Sequence, residues 1–203
     1  QVEIIKKWFV KYNYFGRGRE KDGGGEQVAL FYKKDRFECL DHGHFWLSDT
    51  PEIPGSRSFG NKVIRMASWV VLKDRFENKD FIFVNTHLDH NSLNARIKGA
   101  KLITSFLNKF EIKYKVLTGD FNDVPDSKAI SILINEANLV DLFWENSDEM
   151  STFHNFSEHE YARIDYIFAG TNIKPEKIKI IKKKPFDIYP SDHYPIYADL
   201  KLE

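Results

Sequence analysis

The chain has 203 residues, of which 42% are hydrophobic and 15% aromatic, a composition that predicts one folded domain over residues 1–203 and excludes intrinsic disorder. Lys plus Arg and Asp plus Glu are equal at 30 each, which argues against a protein whose main task is to bind duplex DNA, because that task favours a basic excess. The single cysteine, Cys39, excludes an internal disulfide and a zinc site built on several cysteines.

The start of the chain predicts a helix, and strand patterns follow it. Val2, Ile5 and Phe9 are at helical spacing, so residues 1–10 predict a short amphipathic helix. The glycine run at 23–25 precedes a strand pattern rather than a helix, which predicts a flexible loop and not a phosphate-binding loop. The predicted strands are 27–32, 36–40, 63–72, 80–86, 115–118, 164–169, 177–181 and 195–200.

Two further helices are predicted between these strands. Residues 93–110 carry an apolar stripe, and a second helix begins near Asp126 or Ser127, either of which is a suitable cap. Many strands with a few helices between them predict a layered α/β sandwich. No apolar run is long enough to span a bilayer, and the first residues do not form a signal peptide. A cytoplasmic location is slightly favoured, and secretion stays open.

Polar residues gather where four of the predicted strands begin or end. His87 and Asp120 follow strands, Asp165 lies at the start of one, and His193 comes just before the last. Each has an ordinary explanation when it is taken alone, such as an Asp that shapes a turn or a histidine satisfied in the core. Together they predict a site, because a layered sheet brings strand ends to one rim and unpaired buried carboxylates are costly.

The chemistry of these groups suits a hard cation. Asp, Asn and His without a cysteine cluster favour Mg²⁺ or Mn²⁺. Phosphoester hydrolysis needs positive charge on the phosphate oxygens, a group that handles the proton of water, a donor to the phosphorus centre and assistance to the leaving oxygen. The polar motifs supply all four, so they predict a metal-dependent phosphoester hydrolase.

The motifs resemble those of the endonuclease/exonuclease/phosphatase superfamily. The matching stretches are 85–90, 118–122, 163–167 and 190–195, in the family's order, and the resemblance extends from about residue 16 to the end of the chain. Residues 152–154, together with 45–51 followed by Arg65, resemble a bacterial subgroup of uncharacterised or sugar-phosphate-acting members. The resemblance implies an α/β (α+β) four-layer sandwich of deoxyribonuclease I-like fold, in which two mainly antiparallel sheets pack face to face with helices outside.

The resemblance also implies a role for each motif residue. Asp120 would orient or deprotonate the attacking water, and Asn122 would steady Asp120 and the phosphate. His87 would bind the phosphate and assist the leaving group. His193, held by Asp165, would contact the scissile phosphate or act as base. The expected metal ligands are Asp120, Asn122 and Asp192, and the weaker candidates for substrate contact are Trp46, Arg65, Asn85, Arg96 and His154.

The chain departs from the family pattern at its start. The family normally opens with a strand that carries an Asn, followed by a strand ending in Gln-Glu whose Glu is the principal metal ligand, and neither motif is in this sequence. Residues 1–9 instead resemble the helix after the Gln-Glu strand, and residues 14–19 resemble the next strand and loop. We therefore expect an N-terminally incomplete domain, and a chain of these residues alone should have poor metal affinity and turnover.

Three functions are consistent with these patterns. The first is a Mg²⁺- or Mn²⁺-dependent phosphatase or phosphodiesterase acting on a phosphorylated small molecule such as a sugar phosphate. The second is a nuclease, which the neutral charge opposes because Lys182, Lys183 and Lys184 form the longest basic stretch. The third is a catalytically weak binding protein that keeps the fold, which the missing Glu and Asn favour and the intact motif residues oppose. Specificity is expected in loops 42–61 and 143–160.

Overall fold

A computed structural model describes residues 1–144 and 150–203. Residues 145–149, which belong to the second predicted specificity loop, lie outside this description. The helices are α1 (Val2–Trp8), α2 (Leu93–Leu107) and α3 (Lys128–Glu136). The strands are β1 (Tyr12–Phe15), β2 (Leu30–Lys33), β3 (Phe37–Trp46), β4 (Met66–Asp74), β5 (Lys79–His87), β6 (Tyr114–Asp120), β7 (Leu139–Asp141), β8 (Asp165–Gly170), β9 (Ile173–Ile180) and β10 (Ile196–Leu202).

A six-stranded mixed sheet forms the centre of the molecule, with strand order β3-β4-β5-β6-β8-β7. β5 and β6 are parallel, while the other neighbours in this sheet are antiparallel. The parallel pair arises because α2 connects β5 to β6 and returns the chain to the same end of the sheet. The strands predicted at 63–72, 80–86, 115–118 and 164–169 form its interior.

The two longer helices cover one face of this sheet. Ser92 caps α2 by accepting a hydrogen bond from Ala95 N, and Ser127 caps α3 by accepting one from Ile130 N. Of the two residues predicted as possible caps, Asp126 and Ser127, Ser127 is therefore the one that caps α3. The side chains buried between the helices and the sheet include Val84, Leu117, Phe168, Ile103, Leu107, Ile130 and Leu133. None of the helices in the described ranges is long and apolar enough to cross a membrane.

Two β-ribbons cover the opposite face of the sheet. The β9–β10 ribbon and the β1–β2 ribbon both pack against Phe81 and Phe83 of β5. Helix α1 lies on the outer side of the β1–β2 ribbon, where the ring of Phe9 contacts Tyr12 and Phe31. The layers are therefore helices, sheet, ribbons and helix. This order confirms the predicted four-layer sandwich and shows that its second sheet is made of two separate ribbons.

Several strands differ from the sequence-based prediction: β4 begins at Met66 rather than at residue 63, and β9 begins at Ile173 rather than at residue 177. β3 continues to Trp46 rather than ending at residue 40, and its polar stretch 41–44 lacks the apolar alternation that marks a half-buried strand. Gly43 allows this extension, because a Cβ atom there would lie 2.8 Å from the ring of Trp69 on β4. β7 was not predicted, because its three residues are too few to show the alternation of apolar and polar residues that marks a strand.

Candidate active site

Three predicted site residues lie on one rung of the central sheet. His87 ends β5, Asp120 ends β6 and Asp165 begins β8. The strand register pairs His87 with Asp120 and Asp120 with Asp165. Because β8 runs antiparallel to β6, its first residue meets the last residue of β6 at the same rim. The fold therefore places two carboxylates and an imidazole side by side.

Gly119 makes this rung possible. Its φ angle of +152° lies in the region that favours glycine, and a Cβ atom there would lie 2.0 Å from the carbonyl oxygen of Thr86. No side chain fits so close to the neighbouring backbone. The glycine of the Gly-Asp motif thus allows β5 and β6 to stay paired up to Asp120.

Asp120 is at the centre of the polar cluster. Its Oδ1 accepts a hydrogen bond of 2.8 Å from the backbone N–H of Asn122, whose φ is 49°. The Asn122 side chain in turn donates to the carbonyl oxygen of Leu88 at 3.1 Å. The Oδ2 atom of Asp120 lies 3.1 Å from His87 Nε2 and 4.0 Å from His193 Nε2. The turn after β6 thus fixes the carboxylate between two imidazoles.

His193 and Asp165 form a histidine–carboxylate pair. The Nδ1 atom of His193 lies 2.7 Å from Asp165 Oδ2, and Thr152 Oγ1 accepts hydrogen bonds from Ile164 N and Asp165 N. Burial lowers the pKa of His193, but the hydrogen bond to Asp165 and the nearby negative charges outweigh it, so the pKa is raised overall. The pair therefore favours an imidazolium whose Nε2 faces Asp120.

Glu26 is a site residue that the sequence did not reveal. Its Oε1 lies 2.7 Å from His87 Nδ1, so His87 is held between Glu26 and Asp120. The hydrogen bond from His87, helped by the charges of Arg19 and Arg65, lowers the pKa of Glu26 to about 2. Burial lowers the pKa of His87, but its bonds to the two carboxylates raise it overall. Glu26 is 61 residues from His87 along the chain, and no local pattern marks it.

Two predicted arginine contacts lie beneath this site. Arg65 is 5% exposed, with Nη2 at 3.0 Å from His90 Nδ1 and Nη1 at 3.5 Å from Glu26 Oε1. Arg96 on α2 donates to Asp123 Oδ2 at 2.9 Å and to the Asp89 carbonyl at 3.1 Å. The Arg96 guanidinium is bonded to protein groups, whereas Nε and Nη1 of Arg65 are buried and have no hydrogen-bond partner among the described residues.

Asn85 and Trp46 are likewise engaged inside the protein. Asn85 accepts a hydrogen bond from Thr118 Oγ1 at 3.0 Å, which ties β5 to β6 below the rung. Trp46 is 3% exposed, and its indole N–H donates to the carbonyl oxygen of Arg19 at 2.7 Å. Trp46 therefore helps to hold the segment whose Arg19 side chain contacts Glu26 at 3.1 Å.

His154 and Asp192 belong to the loops beside His193. The ring of His154, which is 1% exposed, lies 4.2 Å from the rings of both Tyr189 and Tyr194. The backbone N–H groups of His154 and Asn155 donate to the carbonyl oxygen of Asp192. These contacts join the two loops and set the position of His193, the residue after Asp192.

Within residues 1–144 and 150–203, one cluster of acidic and histidine side chains has metal-site geometry. Asp120, Asp165 and His193 each offer one ligand atom, and these atoms lie within 4.8 Å of one another. Two carboxylates and an imidazole fit a hard or borderline divalent cation such as Mg²⁺ or Mn²⁺. The cluster shares Asp120 with the predicted ligand set and does not include Asp192. The assignment of Asn122 and Asp192 as ligands stays a prediction.

This layered fold with its carboxylate–histidine rim is the deoxyribonuclease I-like architecture of phosphoester hydrolases. A model of the Endonuclease/Exonuclease/phosphatase family matches residues 3–193. The chain belongs to that family.

Solved bacterial structures resemble the chain over almost its whole length. An endonuclease/exonuclease/phosphatase from Bacteroides vulgatus is 31% identical with a TM-score of 0.91. The match covers 100% of this chain and 80% of the Bacteroides vulgatus chain. A mannosyl-6-phosphatase from Bacteroides thetaiotaomicron is 28% identical with a TM-score of 0.89, covering 98% of this chain and 80% of its own. Protein angel of Drosophila melanogaster is 30% identical over an alignment of 152 residues that covers 70% of this chain and 42% of that protein.

Proposed function

We propose that the chain hydrolyses a phosphomonoester of a small sugar with the help of a divalent cation. The observation that carries the proposal is the rung of His87, Asp120 and Asp165 with His193 bonded to Asp165. The likeness to a mannosyl-6-phosphatase supports a sugar phosphate as the substrate class. The absence of net charge supports a small substrate over a nucleic acid, because a polyanion favours a basic surface.

The position of Asp120 supports a role as the base that takes a proton from the attacking water. Its Oδ1 is fixed by the Asn122 N–H, and its Oδ2 faces the two imidazoles, so the carboxylate is held in one orientation at the centre of the cluster. A carboxylate in this position accepts a proton from water as the oxygen approaches phosphorus. Hydrogen bonding that fixes the base lowers the cost of reaching the reactive geometry.

His87 supplies positive charge beside Asp120, because His193 must be neutral to bind the cation. The pKa of His87 is raised by its carboxylate partners despite the opposing effect of burial, which favours its protonated form. An imidazolium N–H donates to a phosphate oxygen and stabilises the charge that builds up on it. His87 then has the geometry to give its Nε2 proton to the leaving oxygen, while Glu26 holds Nδ1.

Asp120, Asp165 and, as a neutral imidazole, His193 are the residues that would hold the cation. A divalent cation neutralises phosphate oxygens and makes the phosphorus more open to attack. In this arrangement Asp165 and His193 would each bind the cation and also orient each other. Substitution of either residue should therefore weaken cation binding and lower turnover together.

The proposal is tested by phosphate release from hexose 6-phosphates with Mg²⁺ or Mn²⁺, beside single- and double-stranded nucleic acids. Asp120→Asn keeps the size of the side chain and removes its basicity, so kcat is expected to fall by about 10²- to 10⁴-fold. Asp126→Asn, an exposed carboxylate in the same loop, is the control and should keep wild-type turnover. Cleavage of nucleic acid but no sugar phosphate would overturn the proposed substrate class.

A further inference from the structure

The loop of residues 153–162 begins directly beside His193. Phe153 forms isolated β-bridges with both Ala162 and His193, so the base of the loop is joined to the residue that faces Asp120. Backbone hydrogen bonds from Phe153 N to Ala162 O and from Tyr161 N to Phe153 O close the loop. The loop is therefore anchored at the site and extends outward from it.

Aromatic rings form a continuous surface from the site along this loop. The ring of Phe153 lies 5.0 Å from that of His193, and the ring of Tyr161 lies 5.5 Å from that of Phe153. His159 packs edge-on against Tyr161 at 4.5 Å, which restricts its motion. Tyr161 nevertheless remains 54% exposed. A tyrosine so exposed, one ring away from His193, is positioned to contact whatever is attached to a phosphate at the site.

Polar groups border the aromatic surface on the same loop. Glu160 bonds to Lys182 at 2.6 Å, and Glu158 bonds to Lys184. These ion pairs tie the loop to the segment before β10 and neutralise both carboxylates, and both oxygens of Glu160 bond to Lys182. Carboxylates accept hydrogen bonds from hydroxyl groups, and ammonium groups donate hydrogen bonds to them. The surroundings thus suit a neutral, hydroxyl-rich group.

We propose that Tyr161, supported by Phe153, is a specificity-determining residue that holds the pyranose ring of a hexose phosphate whose phosphate lies at His193. The face of a sugar ring presents C–H groups of partial positive charge, which complement the negative face of an aromatic ring. The hydroxyl groups of the same sugar then point to the polar border. This inference rests on the proposed function and adds the part of the substrate that lies beyond the phosphate.

Kinetics with two substrates test the role of Tyr161. The ratio of kcat/KM for a hexose 6-phosphate to that for glycerol phosphate, which has no ring, is expected to fall about five- to tenfold in Tyr161→Ala. Tyr161→Phe keeps the ring and should keep the ratio. Phe156→Ala is the control, since Phe156 is 61% exposed in the same loop and its ring lies 6.5 Å from His154. An unchanged ratio in Tyr161→Ala would overturn the inference.

Calorimetric binding of hexose 6-phosphate and inorganic phosphate separates this inference from the proposed function. If the wild type turns over neither substrate, the proposed function fails, and the binding data still decide the role of Tyr161. Tighter binding of the hexose phosphate that is lost in Tyr161→Ala supports the inference. Equal binding of hexose 6-phosphate and inorganic phosphate by the wild type overturns the inference. So does a Tyr161→Ala variant that loses affinity for a nucleoside monophosphate but not for hexose 6-phosphate.

Discussion

Glu26 determines which nitrogen of His87 faces the phosphate. Its carboxylate bonds Nδ1 at 2.7 Å, so Nε2 is left toward Asp120. Arg19 and Arg65 hold the two oxygens of Glu26 at 3.1 and 3.5 Å, which fixes the carboxylate as well. A histidine oriented in this way from behind loses little entropy when it binds a phosphate oxygen.

Glu26→Gln should therefore lower turnover by about 10- to 100-fold, the usual cost of removing a group that orients a site residue. The loss should appear in kcat on a hexose 6-phosphate, because the amide supports the imidazolium less than the carboxylate does. Glu20→Gln is the matched control, since Glu20 lies 3.8 Å from the same Arg19 and is not bonded to His87. Equal turnover of the two variants would contradict this role.

Glu26 also predicts a difference in acid stability. Its pKa is about 2 in the folded protein and near the ordinary value of 4.5 in the unfolded chain. A depressed pKa contributes stability that is present above pH 4.5 and is lost as the pH falls toward 2. In chemical unfolding, the free-energy difference between the wild type and Glu26→Gln should be largest above pH 4.5 and shrink below it. A difference that is constant with pH would contradict the shifted pKa.

The residues found from sequence share one property that Glu26 lacks. His87, Asp120 and Asp165 each lie at the beginning or end of a strand, so the local sequence pattern predicted them. Glu26 lies in a loop, and its role depends on contacts with residues far away along the chain. No period or motif encodes such a contact, because it exists only once the sheet and loops are assembled.

β3 is the edge strand of the central sheet, and His44 links it to the β1–β2 ribbon. The imidazole stacks on Phe15 of β1 at 4.5 Å, and its Nδ1 lies 3.0 Å from Ser68 Oγ on β4. The polar stretch 41–44, which the sequence-based prediction did not assign to a strand, therefore makes contacts between the layers. Interior strands such as β5 were predicted because both of their faces are apolar, whereas an edge strand shows no such signal.

His44 makes this junction sensitive to acid. Burial, together with the charge of Arg17 and the nearby His42, lowers the pKa of His44 to about 4, while the unfolded chain keeps a value near 6.5. The unfolded state therefore binds more protons as the pH falls from 6.5 to 4, and stability is lost over that window. Between pH 7 and pH 5, His44→Gln should lose less unfolding free energy than the wild type.

The control for this prediction is His159→Gln, which changes an exposed histidine. It should follow the wild-type pH dependence in the same denaturant titrations. If His44→Gln and the wild type lose the same free energy between pH 7 and pH 5, the junction between β3 and β1 does not titrate as the structure implies.

The site draws on the whole chain, from Glu26 in the loop before β2 to His193 before β10. The sequence indicated a sandwich, and it did not indicate that the second layer is made of two ribbons, because the pairing of strands is set by long-range packing. Asp120 and Asp165 face each other on adjacent strands. Two carboxylates held so close repel each other, and the rigid sheet cannot move them apart.

A bound cation should relieve this repulsion and stabilise the entire molecule. Ligand binding to the folded state alone adds about 2.7 kcal/mol at a hundred times Kd. For a chain of this size the melting temperature should rise by about 5 to 10 °C. Titration with Mn²⁺ or Mg²⁺ in thermal unfolding measures the shift, and EDTA should reverse it. Asp165→Asn should reduce the shift most clearly, whereas Asp126→Asn should retain it. A shift that survives in Asp165→Asn would place the cation elsewhere, because Asp165 contributes one of the three clustered ligand atoms.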